Sequence, residues 1–400
     1  MQKGITFALL LLAALFVFSC GDASINPTTT TTSTTTSTGG GSTSTTSGTS
    51  STTTTVTFST TTSTVYIYGD KFYLKNIAYA GSAIGNTYSS LAVDRITKTV
   101  HLAYYQRDDE DLNHIYGKLT SWSWENIDYN KDVGQFTSMV MDTNQKMHVS
   151  YYAPRDSALY YAYGETGSWT ITPVDDPLTG EDVGYYTSAA VDSNNKTHIS
   201  YYDWDNQNLK YTTNASGAWI LLIIDSIGNV GKYTSIAIDN NDRIHISYYD
   251  QSNSNLKYAT NKSGGWQTEI VDTSSGQYSS IAVDSNDEVH IAYYQEANDD
   301  LKYALGTSGS WVKEIIDSTL DVGQFASIAL DSNNKPHISY YDKDNTALKY
   351  ATQISGSWNA STLDNSTDVG QDTSIVIDPD DNIHISYYDV TNNLIKYAVK

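Results

Sequence analysis

A five-residue pattern, His-Ile-Ser-Tyr-Tyr or a close variant, returns seven times in this 400-residue chain and constrains its fold more than any other feature. The copies are 45 to 50 residues apart and begin at His101, His148, His198, His245, His290, His337 and His384. A second string precedes each copy, as at 233–239, and a third follows it, as at 256–259. A repeat of this length predicts structural units that bury a core only by stacking on one another.

Each unit contains four short segments with the composition of β-strands. They are rich in Ile, Val, Tyr and Thr and are bounded by Asn, Asp, Gly and Ser. We name them strands A to D in chain order. In six units strand D opens on a tryptophan, namely Trp124, Trp169, Trp219, Trp266, Trp311 and Trp358. Four strands in about 47 residues are typical of a propeller blade, so the sequence predicts an all-β, seven-bladed β-propeller.

The last unit indicates how the ring closes. Its strand C lies at 395–397, and no strand D follows it in the sequence. The segment 72–78 precedes the first strand A with the spacing and apolar pattern of a strand D. We therefore expect this N-terminal strand to complete the seventh blade, which would remove the two free sheet edges of an open ring.

The N-terminus has the pattern of a secretory signal. Lys3 precedes an apolar run at 5–18, which is too short to span a bilayer as a helix. The run ends in Val-Phe-Ser-Cys-Gly at 17–21, which resembles the lipobox of bacterial lipoproteins. The resemblance implies a signal peptide at 1–19 and lipidation of Cys20, the only cysteine of the chain. An ordinary cleaved signal is the alternative.

Residues 20–64 consist mainly of Thr, Ser and Gly and cannot bury a core. We interpret them as a disordered stalk that links the lipidated Cys20 to the propeller at 65–400. Gly21 offers no inner-membrane retention signal of the Asp type. The expected location is therefore the bacterial cell envelope, with the protein anchored by lipid to the outer membrane or the cell surface.

The charge balance excludes some partners. The formal net charge is -22, from 45 acidic and 23 basic residues. Nucleic-acid binding needs a basic face, and docking on anionic lipid needs a polybasic patch, so neither is expected. A glycan or a surface protein remains as the expected ligand of a monomeric protein.

The turn between strands C and D resembles a known motif. At 260–266 it reads Thr-Asn-Lys-Ser-Gly-Gly-Trp, which is similar to the Asp-box of sialidase-like propellers but one residue shorter and without the Asp. The resemblance implies a propeller of the sialidase or lectin kind for the repeat region.

The repeated polar residues have structural explanations. One histidine per blade forms a ring too wide to share a metal ion, so we expect each imidazole to hydrogen-bond to a neighbouring group. The Tyr pairs of strand B and the Trp of strand D are expected in the core. The lysines of strand C are expected to be solvated or to snorkel towards solvent, namely Lys210, Lys257, Lys302, Lys349 and Lys396. The A–B turns at 192–195 and 331–334 could hold Ca²⁺, but they lack the spacing of a calcium loop, and no cofactor is predicted.

Functional residues are expected where the loops vary on the repeated scaffold. The D–A and B–C loops should share one rim, because strand A starts on the face where strand B ends. Candidate ligand-binding residues on this rim are Arg107, Arg155, Asp203, Trp204 and Asp205. An exposed indole beside carboxylates can hold a sugar, since sugar C–H groups stack on the ring. Surface residues without a function are the alternative.

The sequence favours a membrane-anchored binding module that recognises a glycan or a protein through the loop rim. A sialidase-like glycoside hydrolase is a second hypothesis, although the rim offers only two arginines and no fixed carboxylate pair. A structural or assembly role in the cell envelope is a third. No catalytic residues are assigned, and the expectation is that the protein is not an enzyme.

Overall fold

The computed structural model describes residues 63–67, 70–81, 85–177 and 180–400. The predicted signal peptide at 1–19, the predicted lipidation site Cys20 and almost all of the predicted stalk lie outside these residues. Within them the structure has 29 strands. It has no helix there that is long and apolar enough to cross a membrane.

The strands form seven antiparallel sheets, which are the blades. The chain begins with β1 (Ser63–Ile67) and β2 (Asp70–Tyr79). Blade 1 contains β3 (Ser90–Val93), β4 (Val100–Gln106), β5 (Asp111–Lys118) and β6 (Ser121–Asp128). Blade 2 contains β7 (Gln135–Met141), β8 (Met147–Ala153), β9 (Ala158–Glu165) and β10 (Ser168–Asp175). Blade 3 contains β11 (Val183–Val191), β12 (Thr197–Asp203), β13 (Asn208–Thr213) and β14 (Ile220–Asp225).

The remaining four blades repeat this order. Blade 4 contains β15 (Val230–Ile238), β16 (Ile244–Asp250), β17 (Asn255–Thr260) and β18 (Gln267–Thr273). Blade 5 contains β19 (Gln277–Val283), β20 (Val289–Gln295), β21 (Asp300–Thr307) and β22 (Ser310–Asp317). Blade 6 contains β23 (Val322–Leu330), β24 (Pro336–Asp342), β25 (Ala347–Ile354) and β26 (Ser357–Asp364). Blade 7 contains β27 (Val369–Ile377), β28 (Ile383–Asp389) and β29 (Leu394–Val399), and it is completed by β2.

The sheets close into a ring, which confirms the predicted seven-bladed β-propeller. The A strands of neighbouring blades contact one another around the axis, and β27 of blade 7 contacts β3 of blade 1. Strand β2 pairs antiparallel with β29, with Tyr73 opposite Val399, as the sequence predicts. Strand β1 pairs with the outer edge of β2 and makes this sheet five-stranded, which the sequence analysis did not predict.

The core lies between the blades. Each of the seven apolar clusters joins residues of two adjacent blades, as where Tyr211 of blade 3 packs with Ile246 of blade 4. Strand B is the most buried strand, because neighbouring blades cover both of its faces. In β12, β16, β24 and β28 all seven residues are buried. The rigid frame that results carries the loops of both faces of the ring.

The repeated histidines are buried and hydrogen-bonded, as the sequence predicts. His245 Nδ1 lies 2.6 Å from Tyr258 Oη, and its Nε2 lies 3.3 Å from Asp239 Oδ2. In blade 1 a second histidine replaces the tyrosine, and His101 Nδ1 lies 2.9 Å from His114 Nε2. Burial lowers the pKa of all these imidazoles. The Nδ1 bond therefore joins strands B and C in every blade, and in three blades Nε2 also bonds to the aspartate of the A–B turn, at His198, His245 and His337.

The strand-C lysines are mostly covered and their ammonium groups are ion-paired, so the prediction of solvated or snorkelling side chains is wrong. Lys257 forms an ion pair with Asp225 at the end of strand D of the preceding blade, and Tyr248 donates a hydrogen bond of 2.8 Å to the same carboxylate. The trio recurs as Tyr201, Asp175 and Lys210; Tyr293, Asp272 and Lys302; Tyr340, Asp317 and Lys349; and Tyr387, Asp364 and Lys396. The lysine side chains are only 10–12% exposed, because the preceding blade covers them.

The strand-D tryptophans also pack across the blade boundaries. Trp311 makes an edge-to-face contact with Tyr258 of the preceding blade, with 5.1 Å between the ring centroids. In blade 1 the equivalent residue is Trp122, which packs in the same way against Tyr397 of blade 7 at 5.3 Å. Trp124, predicted from the sequence to hold this place, lies two positions further along the strand, so that prediction is wrong.

Candidate functional site

The D–A and B–C loops lie side by side on one face of the ring, as the sequence predicts. The amide of Trp204 donates to the carbonyl of Asp182 at 2.9 Å, which joins the two loops of blade 3. The amide of Lys343 bonds in the same way to the carbonyl of Asp321 in blade 6. We call this side of the ring the loop face.

On the loop face, a tyrosine forms a hydrogen bond with an acidic or amide side chain of the next D–A loop across five of the seven blade boundaries. The second tyrosine of strand B donates to a residue of the next D–A loop, as where Tyr341 Oη lies 2.7 Å from Asp368 Oδ1. The corresponding pairs are Tyr105 and Asp132, Tyr152 and Asp182, Tyr202 and Asn229, and Tyr294 and Asp321. These repeated bonds hold the loops in place and form a common frame.

One position beside these hydrogen bonds holds a different amino acid in every blade. It lies six residues after each repeated histidine and holds Arg107, Pro154, Trp204, Gln251, Glu296, Lys343 and Val390 in turn. The position directly follows strand B, so it is presented at the loop face by a rigid strand. Variation at one point of an otherwise repeated scaffold is typical of a ligand-binding surface.

Trp204 is the aromatic member of this set, and 45% of its surface is exposed. Its ring lies 5.0 Å from the ring of Tyr185, and the two planes are 31° apart. The ring of Tyr202 meets it at 84° with 6.1 Å between the centroids. These two neighbours hold an exposed indole in a defined orientation. We call the rings of Trp204, Tyr185 and Tyr202 the Trp204 cluster.

A network of hydroxyls and a carboxylate lies directly beside this aromatic pair. Tyr152 Oη donates to Asp182 Oδ1 at 2.7 Å, and Tyr185 Oη donates to Asp182 Oδ2 at 2.9 Å. The two phenol oxygens are 3.1 Å apart. Burial raises the pKa of both phenols, so they stay protonated and can act as hydrogen-bond donors.

Lys232 brings a positive charge to the same place. Its Nζ lies 5.1 Å from the centre of the Trp204 ring and 5.6 Å from that of Tyr202. Within the part of the chain that the structure describes, Lys232 takes part in no salt bridge. Burial lowers the pKa of its ammonium group.

The predicted residues Asp203, Trp204 and Asp205 lie together, but their environments differ. Asp203 is buried and accepts a hydrogen bond from the amide of Asn206 at 2.9 Å, so it fixes the B–C turn. Asp205 is exposed and accepts from the amide of Asp182 at 3.0 Å. Asp205 therefore lies between solvent and the D–A loop, on the side of the Trp204 cluster.

The two predicted arginines have different surroundings. Arg155 lies in the neighbouring blade 2 with 44% of its side chain exposed, and it forms a salt bridge of 2.7 Å with Asp156. Arg107 is only 7% exposed. Its guanidinium group donates to the carbonyls of Ala80, Gly81 and Gly85, to Tyr388 Oη and to Asn393 Oδ1. Arg107 therefore ties blade 1 to blade 7.

Seven residues, six of them aromatic, surround the mouth of the central channel on the loop face. Each blade supplies one at the same place, in strand A or, for blade 1, just before it, namely Tyr88, Phe136, Tyr186, Tyr233, Tyr278, Phe325 and Asp372. All seven have a φ between 48° and 54°, because the strand bulges there and turns the side chain towards the axis. They line a cavity of about 240 Å³. We call these seven residues the mouth ring.

The mouth ring and the Trp204 cluster form one continuous aromatic surface. The ring of Phe136 lies 5.4 Å from that of Tyr185, which in turn lies 5.0 Å from that of Trp204. Tyr186 of the mouth ring is also 6.2 Å from Tyr202. We call the path from Phe136 through Tyr185 to Trp204 the aromatic path.

The opposite face of the ring is formed by the A–B turns. In these turns the aspartates accept backbone hydrogen bonds, as where Asp192 Oδ1 accepts from the amides of Asn194 and Lys196. Neighbouring turns are also joined, as where Ser193 Oγ donates to Asp242 Oδ2 at 2.6 Å. In the described residues no group of three or more His, Cys, Asp or Glu side chains is placed to hold a metal ion.

Tyr185, Lys232 and the mouth ring were not predicted from the sequence. A comparison of the seven A strands shows the signal that could have revealed them. The residue before the mouth ring reads Thr87, Gln135, Tyr185, Lys232, Gln277, Gln324 and Gln371, so blade 3 alone has an aromatic residue there and blade 4 alone has a cation. In a chain with 33 tyrosines this one substitution is easily overlooked.

No protein-family model matches the sequence, and no curated protein resembles it. Among solved structures, an ulvan lyase of polysaccharide lyase family PL25 has a TM-score of 0.54 and 11% identity, covering 80% of this chain and 95% of its own. The six-bladed lectin of Aleuria aurantia has a TM-score of 0.49 and 16% identity, covering 70% and 95%. A microbial sialidase has a TM-score of 0.49 and 10% identity, covering 75% and 73%. The likeness to the lyase, at 11% identity, shows a shared propeller fold.

The expectation that the protein is not an enzyme is wrong as an inference from this fold. The PL25 lyase is an enzyme, and this chain covers 95% of it. The lack of one obvious catalytic constellation in a repeated sequence therefore does not exclude catalysis.

Proposed function

We propose that the protein binds polysaccharide through the aromatic path on its loop face. The observation that carries this proposal is the exposed ring of Trp204, held beside Tyr185 and continuous with the mouth ring. Sugar rings present C–H groups that pack on aromatic faces, while their hydroxyls need hydrogen-bonding partners at the edges. Asp182, Asp205 and the phenol of Tyr152 supply such partners beside the rings.

We infer further that the polysaccharide is acidic. Lys232 is the cation next to Trp204, and no carboxylate of the described residues forms a salt bridge with it. A partly buried ammonium without a counter-ion favours a ligand that brings a carboxylate or a sulfate. The net charge of the protein is -22, which repels an acidic polymer overall. Binding would therefore depend on the direct contact between Lys232 and an acidic group of the polymer.

The lipid anchor at Cys20 and the stalk at 20–64 belong to the same proposal. A lipidated N-terminus would hold the protein on the bacterial envelope, and a flexible stalk of about 45 residues would give a reach of roughly 35–40 Å. The loop face could then meet a polymer outside the membrane. Labelling with radioactive palmitate tests this part, since a Cys20→Ala variant should lose the label.

Cleavage of the bound polysaccharide is a second candidate. Tyr152, Tyr185 and Asp182 form a hydroxyl–carboxylate network beside the proposed path. An elimination at a uronic acid needs a base that takes the C5 proton and an acid that protonates the oxygen leaving C4, and a carboxylate surrounded by phenols can supply both. The C4–C5 double bond that forms can be followed by ultraviolet absorbance during incubation with polygalacturonate.

The binding proposal is tested by calorimetric titration of the full chain in detergent with polygalacturonate and with dextran. We expect binding of polygalacturonate that Trp204→Ala weakens at least tenfold, because the stacking surface is lost. Gln251→Ala is the matched control, since it changes the same exposed position in blade 4 and should leave binding within twofold. Lys232→Gln should remove the preference for the acidic polymer.

The outcomes separate the parts of the proposal. Binding that survives Trp204→Ala would reject the aromatic path. Equal binding of dextran and polygalacturonate would reject the acidic ligand but keep the path, provided that Trp204→Ala weakens both. Absence of binding to either polymer would favour a protein partner for the loop face.

A further inference from the structure

The mouth ring combines six aromatic rings with one carboxylate around a small cavity. The aromatic rings follow one another without interruption from Tyr88 to Phe325, with neighbouring centroids 4.5–4.8 Å apart and planes 44–51° apart. A seventh of a full turn is 51°, so the rings repeat the symmetry of the blades. Asp372 occupies the seventh place. We propose that the mouth ring binds an organic ammonium group, as a second site that shares only Phe136 with the aromatic path.

The spacing of the rings leaves room for a small group on the axis. Seven equal chords of about 4.7 Å close on a circle with a radius of about 5.4 Å, since the chord of one seventh of a circle is about 0.87 of the radius. Rings whose centroids are this close cannot all turn their faces to the axis, so ring edges and tyrosine hydroxyls border the centre. An ammonium group there would be held by the charge of Asp372 and by contacts with these hydroxyls.

Asp372 supplies the negative charge of the site. Its Oδ2 accepts hydrogen bonds from the amides of Thr87 at 2.7 Å and Tyr88 at 3.2 Å, so the carboxylate is fixed in the wall of the cavity. In the described residues it takes part in no salt bridge. Burial raises the pKa of Asp372, which agrees with a carboxylate that lacks a counter-charge. A bound ammonium group would provide one.

The size and the charge of the protein fit the same ligand class. A cavity of about 240 Å³ is smaller than a typical drug-sized site of about 300–1,000 Å³, so it suits a headgroup rather than a large molecule. The four tyrosines of the ring add polar hydroxyls, and the net charge of -22 raises the local concentration of cations. The ammonium group can belong to a small molecule or to an amino sugar in a glycan.

The test is a calorimetric titration of the full chain in detergent with choline, with butylammonium and with a glucosamine tetramer. The N-acetylated tetramer is the neutral counterpart. We expect at least one ammonium ligand to bind and the N-acetylated tetramer to bind at least tenfold more weakly. Binding of the glucosamine tetramer alone would identify a glycan as the source, and binding of choline or butylammonium would identify a small molecule.

Two variants test the residues. Asp372→Asn keeps an oxygen for the amides of blade 1 but removes the charge, and we expect it to weaken ammonium binding at least tenfold. Tyr233→Leu removes one ring from the opposite part of the mouth ring and should weaken binding severalfold even if Asp372→Asn does not fold. Asp344→Asn removes an exposed carboxylate of blade 6 and should change nothing.

The proposal fails on any of three results. One is that no ammonium ligand binds at millimolar concentration. Another is that the N-acetylated tetramer binds as well as the glucosamine tetramer. The third is that folded Asp372→Asn and Tyr233→Leu both bind ammonium as the unchanged protein does. None of these results depends on whether Trp204 binds an acidic polymer.

Discussion

Arg107 donates a hydrogen bond of 2.5 Å to the hydroxyl of Tyr388, which lies 281 residues later in the chain. The contact joins blade 1 to blade 7 at the seam where the ring closes. The guanidinium group also lies over the ring of Tyr388, 5.0 Å from its centroid. A residue that the sequence marks as a ligand contact thus stabilises the closure of the propeller.

We therefore expect Arg107→Ala to lower the free energy of unfolding by about 3 kcal/mol, because it removes buried charge-assisted hydrogen bonds and leaves their partners unsatisfied. Urea denaturation measures this loss. Arg155→Ala is the matched control: its side chain is exposed, and its salt bridge with Asp156 should contribute less than about 1 kcal/mol. Equal effects of the two substitutions would contradict the structural role of Arg107.

A second prediction concerns the buried ion pairs between blades. Lys396 Nζ lies 2.5 Å from Asp364 Oδ2, and the two side chains are 10% and 5% exposed. We expect Asp364→Asn to cost about 3 kcal/mol of unfolding free energy, because Lys396 loses the carboxylate in direct contact and keeps only Asp389 at 4.0 Å. Thermal and urea unfolding both report this change.

The double variant Asp364→Asn with Lys396→Met separates the charge effect from packing. It removes both charges, so we expect it to recover at least half of the loss caused by Asp364→Asn alone. A double variant that is less stable than Asp364→Asn would show that the lysine stem, rather than the ion pair, stabilises the boundary.

The fold could be predicted from the sequence because of the repeat: seven copies of one four-strand pattern are compatible with few folds other than a seven-bladed propeller. Even the closing strand could be predicted, since the segment 72–78 has the pattern that blade 7 lacks. Strand β1 could not, because a fifth strand is outside the four-strand repeat. The burial of the strand-C lysines was missed for a related reason: their aspartate partners belong to the preceding unit, as Asp225 does for Lys257.

The candidate site was predictable only where a residue breaks the repeat visibly. Trp204 stands out because it is a tryptophan outside the strand-D pattern. Tyr185 does not stand out among so many tyrosines, although it lies next to Trp204 in space. The burial of Arg107 depends on Tyr388 and Asn393, and only a closed ring brings these distant residues to it.

A third prediction concerns acid stability. Burial lowers the pKa of His337 to about 4 and that of His101 to about 3, whereas an unfolded histidine titrates near 6.5. The unfolded chain therefore binds more protons than the folded chain between these pKa values. The unfolding free energy is highest above about pH 6.5 and falls as the pH drops towards the folded pKa. His337 alone should cost about 2 kcal/mol between pH 7 and pH 5.

Urea unfolding at pH 9, 7 and 5 measures this dependence. We expect little change between pH 9 and pH 7, where the histidines are mostly neutral in both states. A large loss of unfolding free energy should follow between pH 7 and pH 5, because all seven repeated histidines have lowered pKa values. Equal stability at pH 7 and pH 5 would show that the histidines can be protonated in the folded protein.

The last prediction compares two glycines that both have a positive φ. Gly370, at the start of β27, has a φ of +110°, and a Cβ atom there would lie 2.7 Å from the Cα of Leu348. Gly356, in a C–D turn, has a φ of +80° and has no atom within 4 Å of such a Cβ. Backbone strain of about 1 kcal/mol applies to both, but only Gly370→Ala forces β27 away from the backbone of β25. We expect Gly356→Ala to lower the unfolding free energy by about 1 kcal/mol and Gly370→Ala by at least about 3 kcal/mol, measured by urea denaturation.

Similar losses for the two variants would contradict this prediction. They would mean that the blades can move apart enough to make room for a Cβ atom at Gly370. The glycine at the start of strand A would then be needed only for its backbone angle.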